Sequence, residues 1–182
     1  FHRFAADITL PGSTAEYYKL NYQFARYWPI SRSLVLLTAA ELGYGDAYGS
    51  NSALGLPFFE NFYAGGVRSI RGFEDNTLGP TATAPLSPDF RQPLGGSLKT
   101  TGTVEAIFPS IFDKIDTMRI SAFVDFGNVF AGTEAFDVGE FRASTGFSLQ
   151  WQAPVGPIIL NIAHPLMKKD GDRVERIQFS FG

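Results

Sequence analysis

Phe141-Arg-Ala-Ser-Thr-Gly-Phe-Ser-Leu-Gln-Trp-Gln152 is written on a period of two. Phe141, Ala143, Thr145, Phe147, Leu149 and Trp151 fall on one face; Arg142, Ser144, Gly146, Ser148, Gln150 and Gln152 fall on the other. Successive side chains of a β-strand point to opposite sides of the sheet, so this stretch predicts one long amphipathic strand. The same pattern recurs in both directions along the chain. Tyr17–Trp28 sets Tyr18, Leu20, Tyr22, Phe24, Arg26 and Trp28 against Lys19, Asn21, Gln23 and Ala25. Ser97–Phe108 sets Leu98, Val104, Ala106 and Phe108 against Lys99, Thr101, Thr103 and Glu105. Met118–Val129 sets Met118, Ile120, Ala122, Val124 and Phe126 against Arg119, Ser121, Phe123, Asp125 and Gly127. Arg3–Leu10, Pro157–His164 and Val174–Gly182 alternate over shorter spans, and Ser33–Tyr44 is apolar on both sides. Eight strands are therefore expected.

Soluble sandwiches and barrels also alternate. Two features favour a membrane barrel. Most segments run to about 9–12 residues, the length of a tilted strand crossing a bilayer, where soluble strands are usually nearer 5–6. Aromatic residues also gather at segment ends, as in Tyr17-Tyr18, Tyr27-Trp28, Tyr44, Phe108 and Trp151, which suits interfacial girdles. Composition agrees. Of the 182 residues 45% are hydrophobic and 15% aromatic, with 19 Gly and 11 Pro, a balance of many strands and turns. The longest apolar run, Ser33 to Leu42, is broken by Thr38 and Glu41, well short of the roughly 20 residues of a spanning helix. A net charge of −3 gives no electrostatic case for nucleic acid, and the chain has no cysteine to staple the fold or bind metal. The chain opens Phe-His-Arg-Phe without Met, and is expected to start inside a longer protein.

Connections alternate in length. Pro29–Arg32 and Pro154–Gly156 are short, Phe130–Gly139 and Pro165–Arg173 moderate, and Gly45 to about Gly96 very long. In such barrels short turns face the periplasm and long loops face outward. Pro11–Glu16 is then external and Pro109–Thr117 a longer periplasmic turn, with both termini on the periplasmic side. The long loop exceeds a neutral connector. It holds Leu56-Pro-Phe-Phe-Glu-Asn-Phe-Tyr-Ala-Gly-Gly-Val-Arg-Ser-Ile-Arg-Gly-Phe-Glu-Asp-Asn-Thr-Leu-Gly-Pro80, in which Phe58, Phe59, Phe62 and Tyr63 are expected to dock, and Gly65, Gly66 and Gly72 to permit close approach or positive φ.

The run from Phe58 to Pro80, with Ala64-Gly-Gly and Ile70-Arg-Gly-Phe-Glu, resembles the loop motif of the BamA-like outer-membrane assembly factors, the BamA/TamA superfamily. Phe123-Val-Asp-Phe-Gly127 resembles the family's aromatic-x-Asp-x-Gly strand element, and Leu149 to Pro157 its hairpin near the C-terminus. Leu42-Gly-Tyr-Gly45 fits the strand before the loop. The matches occur in the family's order over nearly the whole chain. The resemblance implies an all-β fold: an antiparallel transmembrane β-barrel, with eight strands here forming the C-terminal half of a sixteen-stranded barrel. It implies that residues 1–182 are the C-terminal part of a bacterial surface antigen-type barrel, with an inward-folding extracellular loop at about 45–96 and the periplasmic POTRA modules and first barrel half absent from this stretch. The implied activity is insertion of β-barrel proteins into the outer membrane of a Gram-negative-type cell, through a lateral seam and perturbation of the bilayer. The implied partners are outer-membrane lipid and lipopolysaccharide, nascent β-barrel substrates, and accessory assembly lipoproteins reached through the periplasmic modules.

Facing and resemblance together nominate a brace. Glu105 and Asp125 share the polar, interior side of consecutive strands, and two carboxylates on one wall call for a cation. Arg71 is expected to turn inward and donate to both, since its planar fork can do what Lys cannot. Gly72 and Gly127 allow close approach, and Phe73 is expected to pack on Phe123 or Gly127. The seam strand is expected at Val174–Gly182, with Ile177, Phe179 and Phe181 toward lipid. Arg26, the one charge on a clean apolar face, is expected at the interface beside Tyr27 and Trp28. No enzyme, metal site or cofactor is nominated. His2 and His164 are the only histidines, His164 reading as a rim residue, and Glu74-Asp75 is too thin for a cation site. The alternatives are a related translocator (TamA-like, or a two-partner secretion pore), a passive porin and an outer-membrane enzyme barrel.

Overall fold

The computed structural model describes residues 1–84, 87–108, 117–154 and 156–181. The expected turn at 109–117 lies outside these as far as residue 116, as do Val155 and Gly182. Ten strands form: β1 (His2–Ile8), β2 (Tyr17–Ser31), β3 (Leu34–Ala47), β4 (Thr81–Ala84), β5 (Ser87–Pro93), β6 (Leu98–Phe108), β7 (Met118–Phe130), β8 (Arg142–Ala153), β9 (Gly156–Met167) and β10 (Ile177–Phe181). Eight of them make one antiparallel sheet in the order β1-β2-β3-β6-β7-β8-β9-β10, each next to its neighbour in sequence except where the long loop intervenes. That is the eight-stranded antiparallel fold expected from the pattern.

Burial runs opposite to that of a soluble protein. Phe126, Phe147, Ile162, Ile177, Phe179 and Phe181 are exposed on one face, while Ser121, Asp125, Ser144, Ser148, Asn161 and Gln178 are buried on the other. In water such a distribution would leave the largest apolar groups solvated and polar groups desolvated. It is the expected state of a wall with hydrocarbon on its outer side, where lipid-facing apolar residues alternate with inward polar ones. The inner face is covered by the long loop, which touches β2 through Glu60, β7 through Arg71 and β10 through Gly72 and Phe73.

Three boundaries differ from the sequence reading, and proline explains two. Pro29, expected in a turn, lies in β2, and the turn shrinks to Arg32-Ser33, with a register shift between Pro29 and Ser31. Ala25 N–H points toward β1, donating to Phe1 O at 2.9 Å. By the two-residue period Pro29 would aim its missing N–H to the same side, past the end of β1, where no strand needs it. Likewise β9 runs through Pro165 to Met167. Ala163 N–H donates to Arg176 O at 2.8 Å, so the absent N–H of Pro165 falls on the side that β10 has already left. His164 is accordingly an outward, exposed residue within β9, not a rim residue. The third difference is the β4–β5 hairpin inside a loop expected to have little regular structure. β4 has four residues and β5 is interrupted by Pro88 and Pro93, so period two had too few residues to show.

Candidate functional site: the loop tip against the inner wall

The loop returns under the sheet by pairing with itself and with the wall. Phe62 bridges Gly96, and Ala64 bridges Leu78. Ile70, Phe73, Ala64, Leu78 and Val129 of β7 close into one buried apolar cluster. Phe73, expected to pack on Phe123 or Gly127, lies in this cluster with Val129 of β7. Phe62 is buried as expected of a docking aromatic, but Phe58 and Phe59 are 77% and 63% exposed and meet each other edge to face. The short turn of helix at Phe58–Glu60 directs Glu60, not the rings, onto the wall, where Tyr17 Oη donates at 3.0 Å and Lys19 Nζ at 3.3 Å.

The cluster delivers Arg71 to the polar face of β6 and β7. Its Nε donates to Asp125 Oδ2 at 2.7 Å and its Nη2 to Asp125 Oδ1 at 2.9 Å, a fork-on-fork pair. Its backbone N–H donates to Asp125 Oδ2 at 3.0 Å, and Nη2 also lies 3.0 Å from Glu105 Oε2. Thr103 Oγ1 donates to Asp125 at 2.9 Å, and Ser121 Oγ donates to Glu105. The guanidinium lies 3.5 Å from the centroid of the Phe123 ring, a cation–π contact away from water. Asp125 is completely buried, so every acceptor position facing the loop is used by a donor. A buried carboxylate without such partners would be strongly unfavourable.

Two glycines make room. Gly72 has φ +89°, and a Cβ there would stand 2.9 Å from Ala163 Cβ and 3.4 Å from Ser144 Cβ. Gly127 has φ +140°, and a Cβ there would stand 2.1 Å from Thr100 O. Immediately after Gly72 the loop tip meets the chain that enters β10. Phe73 bridges Val174, Glu74 N–H donates to Arg173 O at 3.0 Å, and Glu175 N–H donates to Gly72 O at 3.1 Å. Ile177 and Phe179, each 65% exposed, and Phe181, 57% exposed, lie on the outer face of β10. Gln178 points inward between them and is buried. Gln178, Thr103 and Ser121 are site residues that sequence reasoning did not single out. The signal available was their position on polar faces opposite apolar neighbours.

Arg26 is exposed on the outer face, five residues from the turn end of β2, with its guanidinium 3.7 Å from the centroid of Trp28. Trp28 Nε1 donates to Thr38 Oγ1 at 3.1 Å, so the ring is held for that stack. Among the described residues no group of three or more His, Cys, Asp or Glu side chains is placed to hold a metal ion.

An antiparallel sheet with an apolar outer face, a polar inner face and its own loop folded against that inner face is the wall of an outer-membrane β-barrel. The family model described as the Omp85 superfamily domain matches residues 1–182, and the chain belongs to that superfamily. It is 33% identical, over 97% of its length, to the outer membrane protein assembly factor BamA of Neisseria meningitidis serogroup B, covering 25% of that protein. It is 28% identical over 76% of its length to the protein of the same name from Nitratidesulfovibrio vulgaris, covering 17% of it. A crystal structure of BamA from Haemophilus ducreyi lacking POTRA domains 1–3 superposes with a TM-score of 0.86 at 31% identity, over 98% of this chain and 37% of that one. The chain thus spans about a quarter of the length of the first of these curated relatives. Its place is the outer membrane of a Gram-negative-type bacterium.

Proposed function

We propose that this chain is the C-terminal half of a sixteen-stranded barrel whose whole protein inserts and assembles β-barrel proteins in the outer membrane, and that it is not an enzyme. The observation that carries the reading is the position of the loop tip. Arg71 holds it to the inner wall, and residues 72–74 pair with the chain entering β10, the last strand of the sheet. A free strand edge presents unpaired N–H and C=O groups that another strand can join, and strand addition needs no catalytic side chain. In this reading the loop of about residues 45–96 is extracellular and folds inward, with Arg71, Gly72, Phe73, Glu105, Asp125 and Gly127 as its brace. Ile177, Phe179 and Phe181 form the lipid side of a lateral seam that opens to nascent β-barrel substrates. Outer-membrane lipid and lipopolysaccharide surround the apolar face, and accessory lipoproteins engage periplasmic modules of the whole protein. The similarity to proteins named outer membrane protein assembly factor supports the same activity.

The test is reconstitution of the whole protein in liposomes with a second, urea-unfolded barrel protein. The expected result is faster folding of the second barrel, lost when a cysteine pair permanently joins β10 to the protein's first barrel strand. Steady single-channel conductance with no acceleration of folding would make it a porin instead, and full activity with the seam locked would remove the gate.

A further inference from the structure

β10 pairs with β9 over Ile177–Phe181. β9 continues past it, to Met167, while the residues before β10 turn away and pair with the loop tip. Between these two pairings lies Gln178, only 1% exposed. Its Oε1 accepts from Gly72 N–H at 3.1 Å, and its Nε2 donates to Phe73 O at 2.7 Å. The carboxamide thus engages one donor and one acceptor on two consecutive residues of the loop, as a neighbouring strand's peptide would.

We propose that Gln178 is a positioning residue that latches the seam strand to the loop tip, coupling seam opening to the state of the loop. The inference rests on the seam reading given above. Its chemistry differs from that of the Arg71 clamp one residue earlier. The two Gln178 bonds to the loop backbone are between neutral groups, and a neutral hydrogen bond contributes roughly half what a charge-assisted one does. The charged contacts beside them, Gln178 Nε2 to Glu175 at 3.4 Å and the part-exposed pair of Arg173 and Glu74 at 3.6 Å, are long, and an exposed pair contributes little. The tip is thereby held firmly on the β6–β7 side and releasably on the β10 side. A side chain of similar length without the amide breaks the latch and leaves the clamp. Gln178→Glu keeps the acceptor for Gly72 N–H and, when ionised, loses the donor to Phe73 O.

The experiment is hydrogen exchange on the whole protein in lipid bilayers, comparing wild type, Gln178→Met and Gln178→Glu, read beside the rate at which each folds a second barrel. Losing the two bonds should raise exchange roughly ten- to thirtyfold in peptides covering residues 72–75 and 173–178, as expected for two neutral hydrogen bonds. Peptides covering 103–105 and 121–125 should stay at wild-type protection, Gln178→Glu should loosen at neutral pH at least as far as Gln178→Met because its carboxylate faces Phe73 O and Glu175, and the folding rate should change with exchange. Unchanged exchange at 72–75 and 173–178 in folded Gln178→Met overturns the latch. So does loosening that spreads equally to 121–125, which would make Gln178 a general packing residue. Should exchange rise as expected while even the wild type fails to fold a second barrel, the latch stands and the assembly reading falls.

Discussion

The two sides of one loop tip are held by different forces. On the β6–β7 side a buried guanidinium meets two carboxylates and an aromatic face. On the β10 side two backbone bonds and one carboxamide do the work, with two long charged contacts beside them, Gln178 Nε2 to Glu175 at 3.4 Å and the part-exposed pair of Arg173 and Glu74 at 3.6 Å. A buried ion pair is costly to break by halves, because the remaining partner keeps its charge in a place without water. A neutral pair carries no such penalty. On that contrast rests the proposal that β10 is released without disturbing the wall that carries the loop.

The largest way to break that contrast is Arg71→Ala. It strands Asp125 and Glu105, and loss of one partner from a buried pair costs about 3–5 kcal/mol, with lumenal water lowering the figure. Melting should drop and residues 64–78 should become protease-sensitive, whereas Arg71→Lys should recover part of the loss. An unchanged melting point and digestion pattern in Arg71→Ala would show that the clamp is ornamental. Next come the glycines. Gly127→Ala places a methyl against a backbone oxygen of β6 at positive φ, so β6 and β7 must part, and backbone strain of this kind costs about 1–3 kcal/mol. Gly72→Ala, also at positive φ, meets the Cβ atoms of Ala163 and Ser144 where Gly127→Ala meets a backbone oxygen, and should cost less, loosening peptides near β10 before those near Asp125. The reverse order in hydrogen exchange would contradict the assignment of firm and releasable sides.

A third anchor sharpens the comparison by its distance from the tip. Glu16, buried between the β1–β2 connection and the start of the long loop, accepts from Gly12 N–H at 2.6 Å, Ser50 Oγ at 2.8 Å and Ser50 N–H at 2.7 Å. The Gly12 amide first, then the Ser50 hydroxyl and amide, hold this carboxyl below the usual carboxylate range. A carboxyl whose folded-state pKa is lowered contributes its stability above the ordinary value and loses it as pH falls through the lowered one. Proteolysis at residues 10–16 and 48–54 should therefore rise only in acid, and Glu16→Gln should remove that pH dependence while leaving seam exchange at neutral pH unaltered. The smallest effect is expected at Arg26. An arginine near the interface costs about 0–1 kcal/mol and its stack on Trp28 offsets that, so Arg26→Ala should barely move the melting of the protein in bilayers. A gain of several kcal/mol would place Arg26 deep in hydrocarbon instead.

Period two alone determined the strands and their faces. It put Ile177, Phe179 and Phe181 on one side of β10 and Gln178 on the other, and it set Glu105 and Asp125 on one inner wall. Those are local facts, fixed by the geometry of a strand and visible in any stretch long enough to show alternation. Proline misled at 29 and 165, because whether a missing N–H matters depends on the strand beside it, which the sequence does not display. What only the tertiary structure decided is how the loop meets the wall. Four aromatics were expected to dock, yet Phe62 is buried while Phe58 and Phe59 remain exposed. Phe73 joins Ile70 and Val129, and the ring of Phe123 is left to Arg71. Gln178 meets Gly72 across 106 residues of chain. A loop has no period to constrain its side chains, so its contacts are selected by which donors and acceptors the folded wall leaves unmatched at that depth.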